Sequence, residues 1–359
     1  MRMIRKFKNI IKNFFVNQRI KKYKYVHLMF NDKFNKPFVD FLNDQFDPKE
    51  HVILCKRWFR EHPFPEGDNV IEIRNYQNIS FQNNEKIICH SLFDNEVIDY
   101  LYKYNDVLKN KTYWVMWGGD LYNAPRDEIN DFVRSNFKGY ISVVEGDEER
   151  AKEIYNLTSD TLCSAPYIAP SFNYSDLYKT LINNPIEHSM LRIQINNSSD
   201  DSTLEMLETL AKFKDKNIIV TTILSYGKMQ FKDQIIKKGK NIYGEKFEYI
   251  QDYMPIEQFI KYSASNDILI CNQNRQQGLG NILSSLYLGK KVFVKSEITT
   301  VSYLNSFGLR LFDTNEIVNM DFNELKDFSE DIKLINIKNA EKFYTREFYV
   351  KKWSKIFKL

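Results

Sequence analysis

The stretch DILICNQNRQQGLGNILSSLYLG, residues 267–289, decides how this chain is read. Ile268, Leu269, Ile270 and Cys271 make a short apolar run of the kind that forms a buried strand. A polar loop follows, and then Ile282, Leu283, Leu286 and Tyr287 recur at helical spacing until Gly289 closes the helix. The helix therefore opens at Gly278–Gly280. The first N–H groups of a helix have no partner inside it, and the helix dipole favours an anion there. Arg275 stands just upstream, and Gln276 and Gln277 add neutral donors and acceptors without cancelling its charge. The pattern suits a diphosphate. It also suits a plain strand–turn–helix junction whose glycines only make the turn.

Outward from this stretch, the same rhythm fills both halves of the chain. Apolar strands are expected at 191–196, 217–224, 247–253 and 291–295, with helices at about 203–213, 229–239 and 256–264. Upstream, strands are expected at 24–30, 51–55, 69–73, 86–90, 112–117 and 140–146, with helices near 37–46, 95–109, 126–136 and 147–156. Short apolar strands alternating with helices predict a parallel sheet covered on both faces. Residues 157–189 lose the rhythm, and Pro166, Pro170 and Pro185 among polar residues read as linker. The expectation is two α/β domains, 25–165 and 190–335, joined by a linker at 166–189, with a final helix at 336–359. Their carboxyl ends would face across a cleft. Ligands of such sheets collect at the carboxyl ends of the strands. That draws attention to Asn31 and Asp32, His90, Gly118–Asp120, Glu145–Asp147, Asn196–Asp200 and Tyr226–Gly227.

Composition limits the partners. The chain has 359 residues, 43% hydrophobic, which suits two medium domains with ample core. The net charge is +4, but residues 1–24 carry nine Lys or Arg and no acid, so the remainder is −5 (+4 less +9). A slightly acidic body argues against nucleic acid as the main partner. In the N-terminal stretch, Ile4, Phe7, Ile11 and Phe14, with Ile10 and Phe15 beside them, share one helical face, and basic residues take much of the rest. Such a helix suits an anionic membrane surface; the alternative is an ordinary helix packed on the body. No run is long and apolar enough for a spanning helix. Cysteines 55, 89, 163 and 271 lie far apart without metal-ligand spacing, so they read as free thiols.

A second stretch, WVMWGGDLYN at 114–123, ends a strand in a Gly-Gly-Asp turn. Gly118 and Gly119 permit close backbone approach, and Trp117 and Tyr122 offer flat apolar walls of the kind sugar rings favour. Asp120 suits a general base or a ligand of sugar hydroxyls; the alternative is a helix cap beneath core tryptophans. His90 and His27 follow apolar runs, as a catalyst or as satisfied structural residues. Several chemistries lack their motifs: no GxGxxG follows the first strand, and there is no P-loop, GxSxG elbow or HExxH. A DxD triplet is also missing. Arg275 and a helix end, not a metal ion or other cofactor, are therefore expected to neutralise a leaving diphosphate.

These motifs together bring a resemblance. WVMWGGDLY (114–122), the NSSD turn (197–200), Tyr226–Gly227 and NRQQGLGN (274–281) resemble the TDP-N-acetylfucosamine:lipid II N-acetylfucosaminyltransferase family. HLMFNDKFNKPFVDFLN (27–43), His90, Gly146–Asp147 and Trp353 fall in the same order. The resemblance runs from about residue 25 to the end. It implies a GT-B glycosyltransferase with two Rossmann-like domains, adding a deoxyamino sugar from a TDP- or UDP-sugar to a polyprenyl-diphosphate-linked glycan. Members act at the cytoplasmic face of the bacterial inner membrane, in enterobacterial common antigen synthesis. Carried over, Arg275, Gln276, Gln277, Gly278 and Gly280 would hold the donor diphosphate, and Asn197, Ser198 and Tyr226 would line the nucleotide. Asp120, with His90 as second choice, would activate the acceptor. Trp117, Gly118, Gly119, Tyr122, Asn31 and Asp32 would lie on the acceptor side. Two rival readings stand: a soluble sugar-nucleotide epimerase or hydrolase of the same architecture, and a non-catalytic membrane-surface module.

Overall fold

The computed structural model describes residues 14–197, 201–225 and 229–359. The chain divides into two compact units. One runs to Pro170 and takes up Tyr349–Leu359; the other is Ser171–Phe348.

The first unit is built on strands β1 (Tyr25–Phe30), β2 (His51–Lys56), β3 (Val70–Ile73), β4 (Lys86–His90), β5 (Thr112–Met116), β6 (Gly139–Ser142) and β7 (Leu162–Ser164). Their order is β3-β2-β1-β4-β5-β6-β7, all parallel. The strands β1, β2, β4 and β5 are buried at nearly every position, which is why they read as unbroken apolar runs. The chain steps outward from β1 to β3, then returns to the other side of β1. The switch point lies between β1 and β4, so Asn31–Asp32 and His90–Leu92 share one crevice at the carboxyl edge. The last helix, Arg346–Lys358, ends in this unit: buried Lys86 donates to the carbonyls of Ile356 (2.7 Å) and Phe357 (3.4 Å), and Trp353 Nε1 donates to Pro166 O (3.1 Å).

A helical segment over 14–20 buries Val16 and Ile20 in the first unit's core and leaves Phe14 58% and Phe15 63% exposed. The rest of the expected amphipathic stripe, Ile4 to Ile11, lies outside the described residues. Among the described residues no helix is long and apolar enough to cross a membrane.

The second unit repeats the plan with β8 (Leu191–Ile195), β9 (Ile218–Ile223), β10 (Phe247–Ile250), β11 (Ile268–Cys271), β12 (Lys291–Val294) and β13 (Phe312–Asp313), in the order β10-β9-β8-β11-β12-β13. All pairs are again parallel. Its switch point lies between β8 and β11, which sets Asn196–Asn197 beside the loop that follows Cys271. Within the stretch expected as linker, 166–189, the chain forms the helix Ser175–Asn183. Tyr178 of that helix is fully buried, its hydroxyl bonded to Ser284 Oγ at 2.7 Å, and its ring packs against Tyr287 and Tyr344. Local composition, rich in Pro and Asn, did not reveal this anchor. The four cysteines are free, and burial pushes their thiols up, so none is a poised thiolate.

Candidate functional site

At the carboxyl edge of the second sheet, the loop 272–278 runs into the helix Leu279–Tyr287. Gly278 caps that helix at φ +74°, a left-handed conformation, and an added Cβ would lie 2.9 Å from Asn196 Nδ2. Turn and packing therefore both demand glycine there. Gly280 differs: a Cβ would meet nothing within 4 Å. Among the described residues, none needs a glycine at that position.

Around this helix start the structure gathers residues that lie far apart in sequence. Asn281 Nδ2 donates to Asn196 Oδ1 at 2.7 Å, and Gln277 Nε2 donates to Asn197 O at 3.2 Å. Gln273, fully buried, and Gln277 each keep a buried Oε1 with no hydrogen-bond partner among the described residues. A buried carbonyl oxygen without a donor costs stability unless a ligand or water supplies one. Two cations flank the loop. Arg275 donates from Nη1 to Gln276 O at 3.0 Å, and Lys295, one residue past β12, donates to Asn274 Oδ1 at 2.6 Å. Gln276 is buried and Asn197 is 4% exposed. Asn272 reaches Glu205 Oε2 at 3.3 Å. Ser198 and Tyr226, expected on the nucleotide side, lie outside the described residues.

The carboxyl edge of the first sheet is built differently. Asp120 is not the exposed acid expected at a Gly-Gly turn; it is 1% exposed. Its Oδ2 accepts from Leu92 N (2.6 Å) and Trp114 Nε1 (2.8 Å), and its Oδ1 from Trp117 N (2.7 Å), at the start of the helix Gly118–Tyr122. Burial raises its pKa to about 6, against the pull of those donors and of nearby Arg134. This is the capping alternative, with Trp114 in the core. Gly119 has a packing reason of its own, since a Cβ would lie 2.7 Å from Phe93 Cζ.

His90 is likewise buried and bonded within the fold. His51 Nδ1 lies 3.0 Å from His27 Nε2, and His27 Nδ1 lies 2.8 Å from His90 Nε2. His90 Nδ1 is bonded to the Tyr167 hydroxyl. The result is a buried chain of three imidazoles and a phenol, in which every inner ring nitrogen has a partner. Burial pushes His51 down to about 4 and His90 to about 3, and His27 falls well below the usual value through burial and its two neighbours. At neutral pH all three are uncharged.

Asn31 is also engaged by the fold. It is fully buried; its Oδ1 accepts from Trp58 N (2.6 Å) and Phe59 N (3.1 Å), and its Nδ2 donates to the carbonyls of Phe59 and His62 (3.0 Å for His62). Tyr122 donates to Asp147 Oδ1 at 2.7 Å. Asp32 stands apart from these. Its Oδ1 accepts from Phe34 N at 2.9 Å, and no described residue is bonded to its other oxygen. Burial raises its pKa, opposed by the Phe34 N–H, Lys33 and His62. Asp32 is a partly buried carboxylate at the switch point, with one oxygen that no described residue bonds. Among the described residues no group of three His, Cys, Asp or Glu is arranged to hold a metal ion.

Solved structures share this architecture. A glycosyltransferase from Rickettsia africae matches with TM-score 0.63 at 12% identity, over 93% of this chain and 98% of that one. The fold is GT-B. WaaG, a glycosyltransferase involved in lipopolysaccharide biosynthesis, matches this GT-B chain with TM-score 0.59 at 10% identity, over 92% and 99% of the two chains. A UDP-GlcNAc 2-epimerase from Neisseria meningitidis, solved with UDP-GlcNAc bound, matches with TM-score 0.53 at 12% identity, over 93% and 100%. By sequence, no family model and no curated protein matches the chain.

Sequence reasoning missed Lys295, Gln273, Asn281 and Trp58 in this GT-B chain. Lys295 and Trp58 each lie just beyond a strand's carboxyl end, and that position was the available signal. Gln273 and Asn281 stood inside the quoted stretch, but their partner Asn196 is some eighty residues away.

Proposed function

We propose that this protein is a glycosyltransferase that moves a deoxyamino sugar of the N-acetylfucosamine type. The donor is a TDP- or UDP-sugar, and the acceptor is a polyprenyl-diphosphate-linked glycan of surface polysaccharide synthesis. The observation that carries this reading is the second unit's helix start. Arg275 and Lys295 supply positive charge, and among the described residues Gly280 faces open space and two buried carbonyl oxygens have no donor. The acceptor hydroxyl attacks C1 of the donor sugar and gives its proton to a carboxylate base, for which Asp32 is the first unit's candidate. The bond from C1 to the diphosphate oxygen breaks, and the new charge on the diphosphate is taken up by the helix N–H groups, Arg275 and Lys295. The GT-B fold shared with WaaG is consistent with this reading. The exposed Phe14 and Phe15, on a basic N-terminal stretch, support peripheral attachment to the cytoplasmic face of an inner membrane. Deleting residues 1–15, which spares the core residues Val16 and Ile20, is then expected to abolish co-sedimentation with anionic vesicles, and unchanged sedimentation would remove the membrane part.

An epimerase reading has the Neisseria structure in its favour. One experiment separates the two: a thermal-shift screen of TDP, UDP, GDP and their sugars without added metal, then turnover of the best donor with and without polyprenyl-linked glycan. Transfer that needs the glycan supports the proposal. Donor conversion without any acceptor supports the epimerase, and no shift with any nucleotide refutes both.

A further inference from the structure

Two large aromatic side chains stand exposed at the ligand edge of the first sheet, and the capping and histidine networks there do not use them. Trp58 follows β2 and is 41% exposed; Phe93 follows β4 and is 43% exposed. Between them lies Phe30, the last residue of β1. The Trp58 ring stacks on Phe30 with centroids 4.3 Å apart and planes 13° apart, and Phe93 meets the same ring edge-on at 6.4 Å. Trp117 lies 6.1 Å from Phe30 and 5.7 Å from Phe34.

The platform is held in place. One face of the indole is fixed by Phe30, and its backbone N–H and that of Phe59 are both fixed by the buried Asn31 amide. Phe93 sits over the turn that Gly119 keeps free of a Cβ. Polar residues follow in the chain: Asp32 is next to Asn31, whose side chain holds the Trp58 N–H, and Lys33 Nζ lies 5.0 Å from the Phe34 ring centroid. A polyprenyl chain would call for an extended apolar groove. A flat indole held from behind by Phe30 and exposed on its outer side fits a pyranose, whose C–H face packs on an aromatic ring.

We propose that Trp58 forms the floor of a carbohydrate subsite, stacking one neutral pyranose ring of the acceptor beside Asp32. The inference rests on the glycosyltransferase reading above, whose donor half belongs to the second unit.

The test uses the full chain and methyl N-acetyl-β-glucosaminide as probe, at millimolar concentration, followed by saturation-transfer NMR. The wild type is expected to bind it. Trp58→Ala should weaken binding about tenfold, and Trp58→Phe, which keeps a flat ring, should recover most of it. The thermal shift with UDP or TDP should be the same in all three proteins, which also shows that each variant is folded. Equal glycoside binding by Trp58→Ala overturns the proposal. So does loss of binding to decaprenyl-phosphate vesicles with glycoside binding unchanged, which would make the platform a lipid contact. A wild type that binds the glycoside through Trp58 but neither nucleotide would refute the donor reading and leave the carbohydrate subsite standing.

Discussion

The two carboxyl edges have the same topology and use their polar residues differently, although each keeps buried polar atoms with no partner among the described residues: Ser91 Oγ and Trp117 Nε1 in the first, Gln273 Oε1 and Gln277 Oε1 in the second. In the first unit, the polar residues that follow strands are mostly consumed by the fold. Asp120 holds three N–H donors, Asn31 clamps the Trp58–His62 loop, and three histidines bond to one another and to Tyr167. In the second unit, among the described residues, the corresponding loop keeps buried carbonyl oxygens without donors and a glycine whose added Cβ would meet nothing within 4 Å. A polar residue at a strand's end can serve structure or ligand, and its partners decide which.

Acid should break the first edge most severely. The three histidines are depressed in the folded state, two of them to about 4 and about 3. The unfolded chain therefore binds protons that the folded chain refuses. The stability they contribute is complete above the ordinary value of about 6.5 and is lost as pH falls toward 4 and then 3. Asp120, raised to about 6, works in the opposite sense: what it contributes is present below its ordinary value of 3.8 and lost as pH rises through 6. Its span is shorter, and the three imidazoles outweigh it. Melting temperature should drop steeply between pH 6.5 and 4; a flat profile would mean the histidine chain is not closed to protons.

The comparison sharpens at Asp120. Replacing it with Ala leaves the N–H groups of Leu92, Trp114 and Trp117 without an acceptor and should cost about 2–3 kcal/mol of stability in a denaturant titration. Nucleotide binding by the folded fraction should be unchanged. Full stability in Asp120→Ala would return that residue to the list of ligand contacts.

The smallest effects distinguish two glycines of one helix start. Gly278→Ala forces a left-handed residue against Asn196 and should cost about 1–2 kcal/mol. Gly280→Ala should leave stability unchanged or slightly higher, yet weaken UDP or TDP binding several-fold, because the added methyl enters the space assigned to the phosphates. Equal nucleotide affinity in Gly280→Ala would show that space to be unused.

Much of the fold was legible. The long strands are buried on both faces, and their apolar runs survive any reading frame. The strands β7 and β13 were missed because Leu162–Ser164 and Phe312–Asp313 are short and only half-buried. At the sites, the glycine-started helix could be read because its signal is local. Asp120 was misread because its exposure depends on Leu92 and Trp114, brought to it by β4 and β5. Trp58 was passed over although it stands two residues after β2, where the rule already applied to other strands would have found it.

The central claim is that Arg275 and the helix starting at Leu279 hold two linked phosphates. Calorimetric titration of UDP and TDP into wild type and Arg275→Ala, without metal, tests it directly. The account predicts that one of the two diphosphates binds the wild type, and that the variant binds it at least about tenfold more weakly at an unchanged melting temperature. Equal affinity in the two proteins would contradict it.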